Sequence, residues 1–130
     1  MEEQSNQEEA FVRAFIVRER RERWLGHLAS AKHRRKITDS LAHPNMAWFD
    51  PRYVKPVPNS PSILKTLRSK GAGQTCWVIS EFSKFDSQEL DLAEILVEIV
   101  GSQMGTILSC VPGRLAYLEA ENERYILERS

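Results

Sequence analysis

The sequence predicts an α+β fold in which an N-terminal helical arm precedes a small three- to four-stranded sheet packed with one or two helices. Three observations predict it. Residues 8–42 hold no proline and one glycine, with apolar residues spaced by three and four. Five of the six prolines crowd into residues 43–61, and the rest of the chain breaks into short apolar runs separated by Gly, Pro and Ser. With 130 residues and 42% hydrophobic residues, the chain suits a single domain with one core. The expected division is a helical arm at 8–42, an extended proline-rich connection at 43–61 and an α/β core at 62–130.

Residues 1–7 are polar and predicted to fray. In the arm, Ala10, Ala14, Val17, Trp24, Leu28 and Ala31 form a seam flanked by Phe11, Phe15 and Leu25. Arg18–Arg23, RERRER, interrupts it, because six consecutive charged residues leave no apolar face. Either the helix leaves the body of the protein there or two helices meet. Ser30 is the expected N-cap of a further helix to Leu41, with Ile37 and Leu41 turned inward. The connection carries Trp48, Phe49, Tyr53 and Val57, too many large apolar groups for a free linker, and is expected to lie pinned along the surface.

Ser60 is the expected cap of a short helix with Pro61 at its first position and Gly71 just past its end, and Ile63 and Leu67 inward. Thr75–Ser80, TCWVIS, has no charged residue and predicts a strand buried on both faces. A helix from Asp86 or Ser87 to Val100 follows from the Asp86–Glu89 capping-box spacing, with a polar stripe of Asp91, Glu94 and Glu98. Strands are expected at Thr106–Val111, Arg114–Ala120 and Arg124–Glu128. If Pro112 and Gly113 close the hairpin, Ser109 faces Ala116, Ile107 faces Leu118, Val111 faces Arg114 and Cys110 faces Leu115. Pro-Gly prefers a type II turn, which suits a two-residue hairpin poorly.

The formal charge of zero is a cancellation. From Arg13 to Lys36 nine Lys or Arg stand against two Glu, whereas from Glu81 to Ser130 ten acidic residues stand against four basic ones. The first segment carries the principal functional expectation: contact with nucleic acid or an acidic protein surface. Arg18, Arg20, Arg21, Arg23, Lys32, Arg34, Arg35 and Lys36 would grip phosphates, with Trp24 as a stacking group. The competing expectation is that the basic run faces the acidic stripe of the same chain.

A second, enzymatic reading gathers Ser80, Ser109 and Arg114 near the hairpin, with His43 or Asp50 as base. Ser109 and Cys110 point to opposite faces, so they cannot share that site. A third reading is a helix-mediated homo-oligomer or assembly subunit joined along the arm's seam. The three histidines lack the spacing of a helical metal site and no CxxC accompanies them, so no metal and no cofactor is expected. Neither GAG at 71–73 nor GSQMG at 101–105 follows a strand and opens a helix, so both are turns and not dinucleotide sites. Two cysteines in apolar runs and the lack of a leader or a long apolar stretch predict a reduced, cytoplasmic protein without a transmembrane segment.

Overall fold

A computed structural model describes residues 2–57 and 62–129. Six antiparallel strands form one sheet in the order β1-β6-β5-β4-β2-β3, with helices on both faces. The elements are α1 (Glu2–Phe15), α2 (Arg18–Ala29), α3 (Arg35–Thr38), a 3₁₀ turn (Met46–Trp48), β1 (Val54–Pro56), α4 (Ile63–Ser69), β2 (Thr75–Ser80), β3 (Gln88–Asp91), α5 (Leu92–Ile99), β4 (Thr106–Val111), β5 (Leu115–Glu119) and β6 (Arg124–Glu128). The α+β class stands, and the sheet is larger than expected.

The N-terminal helices are a layer of the core and not an arm. Phe11, Phe15, Ile16, Trp24, Leu28, Ile37 and Leu41 pack with Trp77, Ile79, Ile107, Ala116, Leu118 and Leu127, which point to one face of the sheet. The other face carries Cys76, Val78, Leu108, Cys110, Tyr117 and Ile126 under α4 and α5. Strand alternation divides these residues, so charge-free β2 feeds both cores. The seam expected to serve an oligomer is thus largely spent inside the protein; Trp24 and Leu28 are buried and only Ala31 is exposed.

At the charged interruption two helices meet. The chain turns at Ile16 and Val17, where Ile16 bridges to Phe49, and the Arg21 Nε donates to the Ile16 carbonyl at 2.9 Å. A carbonyl released by the broken helix is thereby satisfied. Helix α1 begins at Glu2, well before the expected start, and the expected helix to Leu41 is reduced to α3 flanked by turns. Ser30 accepts from the His33 N–H, and Ile37 and Leu41 are buried as expected. The proline-rich connection is pinned more firmly than along a surface: Phe49 is buried and Val54–Pro56 pairs with β6 as an edge strand. Pro56 suits an edge because it has no N–H to offer. Expected cap Ser60 and the Pro61 after it lie outside the described residues, and Ser62 caps α4 by accepting from Lys65 N–H.

The helix expected from Asp86 begins only at Leu92. Gln88–Asp91 forms β3 along β2, and Asp91, not Asp86, supplies the cap by accepting from Glu94 N–H at 3.0 Å. The reason is tertiary: β2 is buried over Cys76–Ser80 and its peptide groups need a partner on each side. At the hairpin, Val111, Pro112, Gly113 and Arg114 make a turn with Gly113 at φ +72° and the Arg114 N–H donating to Val111 O. A bulge at Cys110 absorbs the extra length, so Val111 pairs with Leu115 while Ser109–Ala116 and Ile107–Leu118 keep the expected register.

Candidate anion-binding cleft

Arg20, Arg23, Trp24 and His27 recur along α2 at intervals of three and four, which places them on one stripe of the helix. Lys36 and Ile37 reach the same place from α3, and Trp48 reaches it from the 3₁₀ turn. Together they line a recess of about 170 Å³. Its floor is aromatic: Trp24 and Trp48 meet edge-on with centroids 6.3 Å apart, and the Arg20 guanidinium lies 5.6 Å from the Trp48 ring centroid. Both indole Nε1 atoms are buried without an acceptor in the protein.

The polar side chains around the recess, His27 excepted, carry donors and no acceptor. No carboxylate lines it, and among the described residues Arg20, Arg23 and Lys36 form no ion pair. Burial and then the nearby charges of Lys36, His33 and Arg23 hold the His27 imidazole below its ordinary pKa. The recess is thus electropositive.

The other predicted contacts have different fates. Arg18, Lys32 and Arg35 are exposed, and Arg35 pairs with exposed Asp39 at 2.7 Å. An exposed pair of this kind is weak and readily exchanged. Two residues of the predicted set are corrected. Trp24 is 1% exposed, packed edge-on against Phe49, and has no face to offer a base.

Arg34 is buried in a clamp. Its Nη1 and Nη2 donate to Glu8 at 2.8 and 2.6 Å, its Nε and Nη2 to Asp86 at 2.7 and 3.0 Å, and its Nη1 to the Leu28 carbonyl at 3.0 Å. All five donors are used. Trp77 Nε1 adds a bond to Glu8 and Ser80 N–H one to Asp86, so the clamp ties α1, the turn after α2 and the β2–β3 connection. Burial by itself would lower the Arg34 pKa, but hydrogen bonds and charge from Glu8 and Asp86 prevail and raise it. The expected pairing of the basic run with the stripe of Asp91, Glu94 and Glu98 is not formed among the described residues; Asp91 is occupied capping α5 and accepting from Gln74.

The enzymatic grouping does not assemble. Ser80 is bonded to Thr106 Oγ1 at 2.8 Å at the end of β2, on the strand face shared with Cys76 and Val78. Ser109 points to the opposite face, opposite Trp77 and Ala116, and Arg114 is exposed in the hairpin turn. His43 pairs with Glu121, and Asp50 is held by Arg52, whose hydrogen bonds keep its carboxyl below the usual carboxylate range. Burial pushes the Cys110 thiol up to about 12 and raises that of Cys76 as well, so neither is a ready nucleophile.

His27, Ile37 and Trp48 are the cleft residues absent from the predicted set. The stripe of Arg20, Arg23 and His27 was legible at helical spacing; Trp48 carried no sequence signal, because only the fold returns the 3₁₀ turn to α2. No helix among the described residues is long and apolar enough to cross a membrane, and those residues include no cluster of three or more metal-ligating side chains. Neither a protein-family model, nor a curated protein, nor a solved structure matches the chain.

Proposed function

We propose that the protein is a binding protein for nucleic acid, engaging phosphates of a strand through the outer surface of α2 and α3. The observation that carries this reading is the cationic lining of the recess, with Arg20, Arg23 and Lys36 uncommitted to any carboxylate among the described residues. A ligand that complements only donors is rich in acceptors and negative, and phosphate meets both demands. Exposed Arg18, Lys32 and Arg35 extend the positive surface beyond the recess. With 12 residues, α2 is about 18 Å long, enough to follow several consecutive phosphates. In this role Arg18, Arg20, Arg23, Lys32, Arg35 and Lys36 position the strand, without reading base edges. Free, buried Cys76 and Cys110 accord with a reducing, cytoplasmic setting.

The test is fluorescence anisotropy of labelled single-stranded RNA and DNA over a salt series. Expected is binding whose log affinity falls linearly with log salt, and its loss in Arg23→Glu with Lys36→Glu while the circular dichroism spectrum stays unchanged. Affinity unaltered by that double reversal removes the recess from the interface. Absence of binding at low salt, with capture of an acidic protein instead, replaces the nucleic acid by a protein partner.

A further inference from the structure

The recess differs from the positive surface around it in being concave and small. At about 170 Å³ it lies below the ~300–1,000 Å³ of pockets that hold drug-sized ligands, so it suits a small group. Arg20, Arg23 and Lys36 all line it, together with Trp24, His27, Ile37 and Trp48. A backbone diester bears a single charge and has chain leaving on both sides. A phosphate monoester carries about −1.5 to −2 near neutral pH, presents three acceptor oxygens and is tethered at one point only. A recess lined by three cationic residues matches the second species better in charge and shape.

We infer that the recess formed by Arg20, Arg23, Lys36 and Trp48 is a seat for a phosphate monoester, namely the terminal phosphate of a nucleic-acid strand. The inference rests on the proposed function and deepens it: the end of the strand enters the recess while Arg18, Lys32 and Arg35 track the backbone. Arg23 and Lys36 supply charge from α2 and α3, and Arg20, stacked over Trp48, is held in place before the ligand arrives. His27 borders the seat and reports on it, because a bound dianion stabilises the imidazolium.

Two measurements on the full chain separate the seat from the strand. The first is an NMR titration of the His27 imidazole in inorganic phosphate and in chloride of equal ionic strength. Expected is a higher midpoint in phosphate, with the difference lost in Arg23→Gln with Lys36→Gln; identical midpoints for the unaltered protein overturn the seat. The second is anisotropy with one labelled 12-nucleotide strand bearing either a 5′-phosphate or a 5′-hydroxyl, and with its 3′-phosphorylated form.

One of the terminal phosphates should tighten binding at least about tenfold, the worth of one charge-assisted hydrogen bond. Arg23→Gln with Lys36→Gln should abolish that advantage, Trp48→Phe should reduce it, and Arg35→Gln should weaken phosphorylated and unphosphorylated strands alike. Equal affinity for all three strands overturns the terminal-phosphate seat and leaves backbone binding standing. Binding of no strand, with the His27 midpoint still moved by phosphate, overturns the nucleic-acid reading and not the phosphate seat. A phosphoserine peptide that binds more tightly than any strand also overturns the strand as its source.

Discussion

Arg34 and Lys36 stand two residues apart in one basic run, yet the fold uses them in opposite ways. Arg34 is enclosed by Glu8 and Asp86 with every N–H bonded, whereas Lys36 lines a recess with Arg20 and Arg23 and pairs with no carboxylate among the described residues. Local sequence treats both as members of a charge cluster. What separates them is the helical turn around residue 34, which directs one side chain under α1 and the other towards α2. A buried charge must be matched where it lies, but an exposed charge needs no internal partner and remains available to a ligand.

The sharpest way to break this contrast is to remove Arg34. Arg34→Ala strands Glu8 and Asp86 without their counterion and should cost about 3–5 kcal/mol in urea unfolding. Arg23→Gln with Lys36→Gln should stay within about 0.5 kcal/mol of the unaltered protein, as surface substitutions do. Equal losses in the two variants would erase the distinction between clamp and recess.

Gly105 tests whether α3 is positioned by the sheet. A Cβ there would overlap the backbone of Leu41 and Ala42 just after α3, so Gly105→Ala should destabilise by about 1–3 kcal/mol or more. It should also weaken strand binding through displacement of Lys36. A variant that keeps both stability and affinity shows that this approach does not set the recess.

Within the recess the effect is on binding and its salt dependence. Removing Arg23 and Lys36 together should reduce the magnitude of the log–log salt slope by about 2, one for each phosphate contact. Removing Arg34 should leave the slope unchanged in the fraction that remains folded. A slope that responds only to Arg34 would reverse the assignment.

The smallest effect is that of pH. The folded His27 has a pKa below its ordinary value of 6.5, so the unfolded chain takes up this proton first as pH falls. Its contribution to stability is therefore complete above about pH 6.5 and declines through the acid side of that value. His27→Gln should lose less stability than the unaltered protein between pH 7 and 5, measured by thermal unfolding. Parallel pH profiles would remove His27 from the electropositive wall.

Much of the secondary structure was legible because local pattern and tertiary need agreed. Thr75–Ser80, Thr106–Val111 and Arg124–Glu128 are strands with the boundaries expected, and Ser109 faces Ala116 as the hairpin register required. Where the two conflicted, the sheet prevailed. Asp86–Glu89 has a helical capping pattern in isolation, but the exposed edge of buried β2 recruits Gln88–Asp91 as a strand. Val54–Pro56, in the stretch with most prolines, becomes the opposite edge because β6 offers an unpaired side and Pro56 needs no partner for a missing N–H.

Of the candidate cleft, the sequence by itself determined the stripe Arg20, Arg23 and His27, since positions three and four apart share a helix face whatever surrounds them. It also determined that Ser109 and Cys110 point apart, since neighbouring residues of a strand take opposite faces. Tertiary structure alone decided that Trp24 is floor and not stacking platform, that Trp48 closes the recess, and that Arg34 belongs to Glu8 and Asp86, 26 and 52 residues away. The physical reason is the reach of each constraint. Periodicity acts over a few residues, but the burial of a charge or an indole is set by whatever the whole chain packs against it.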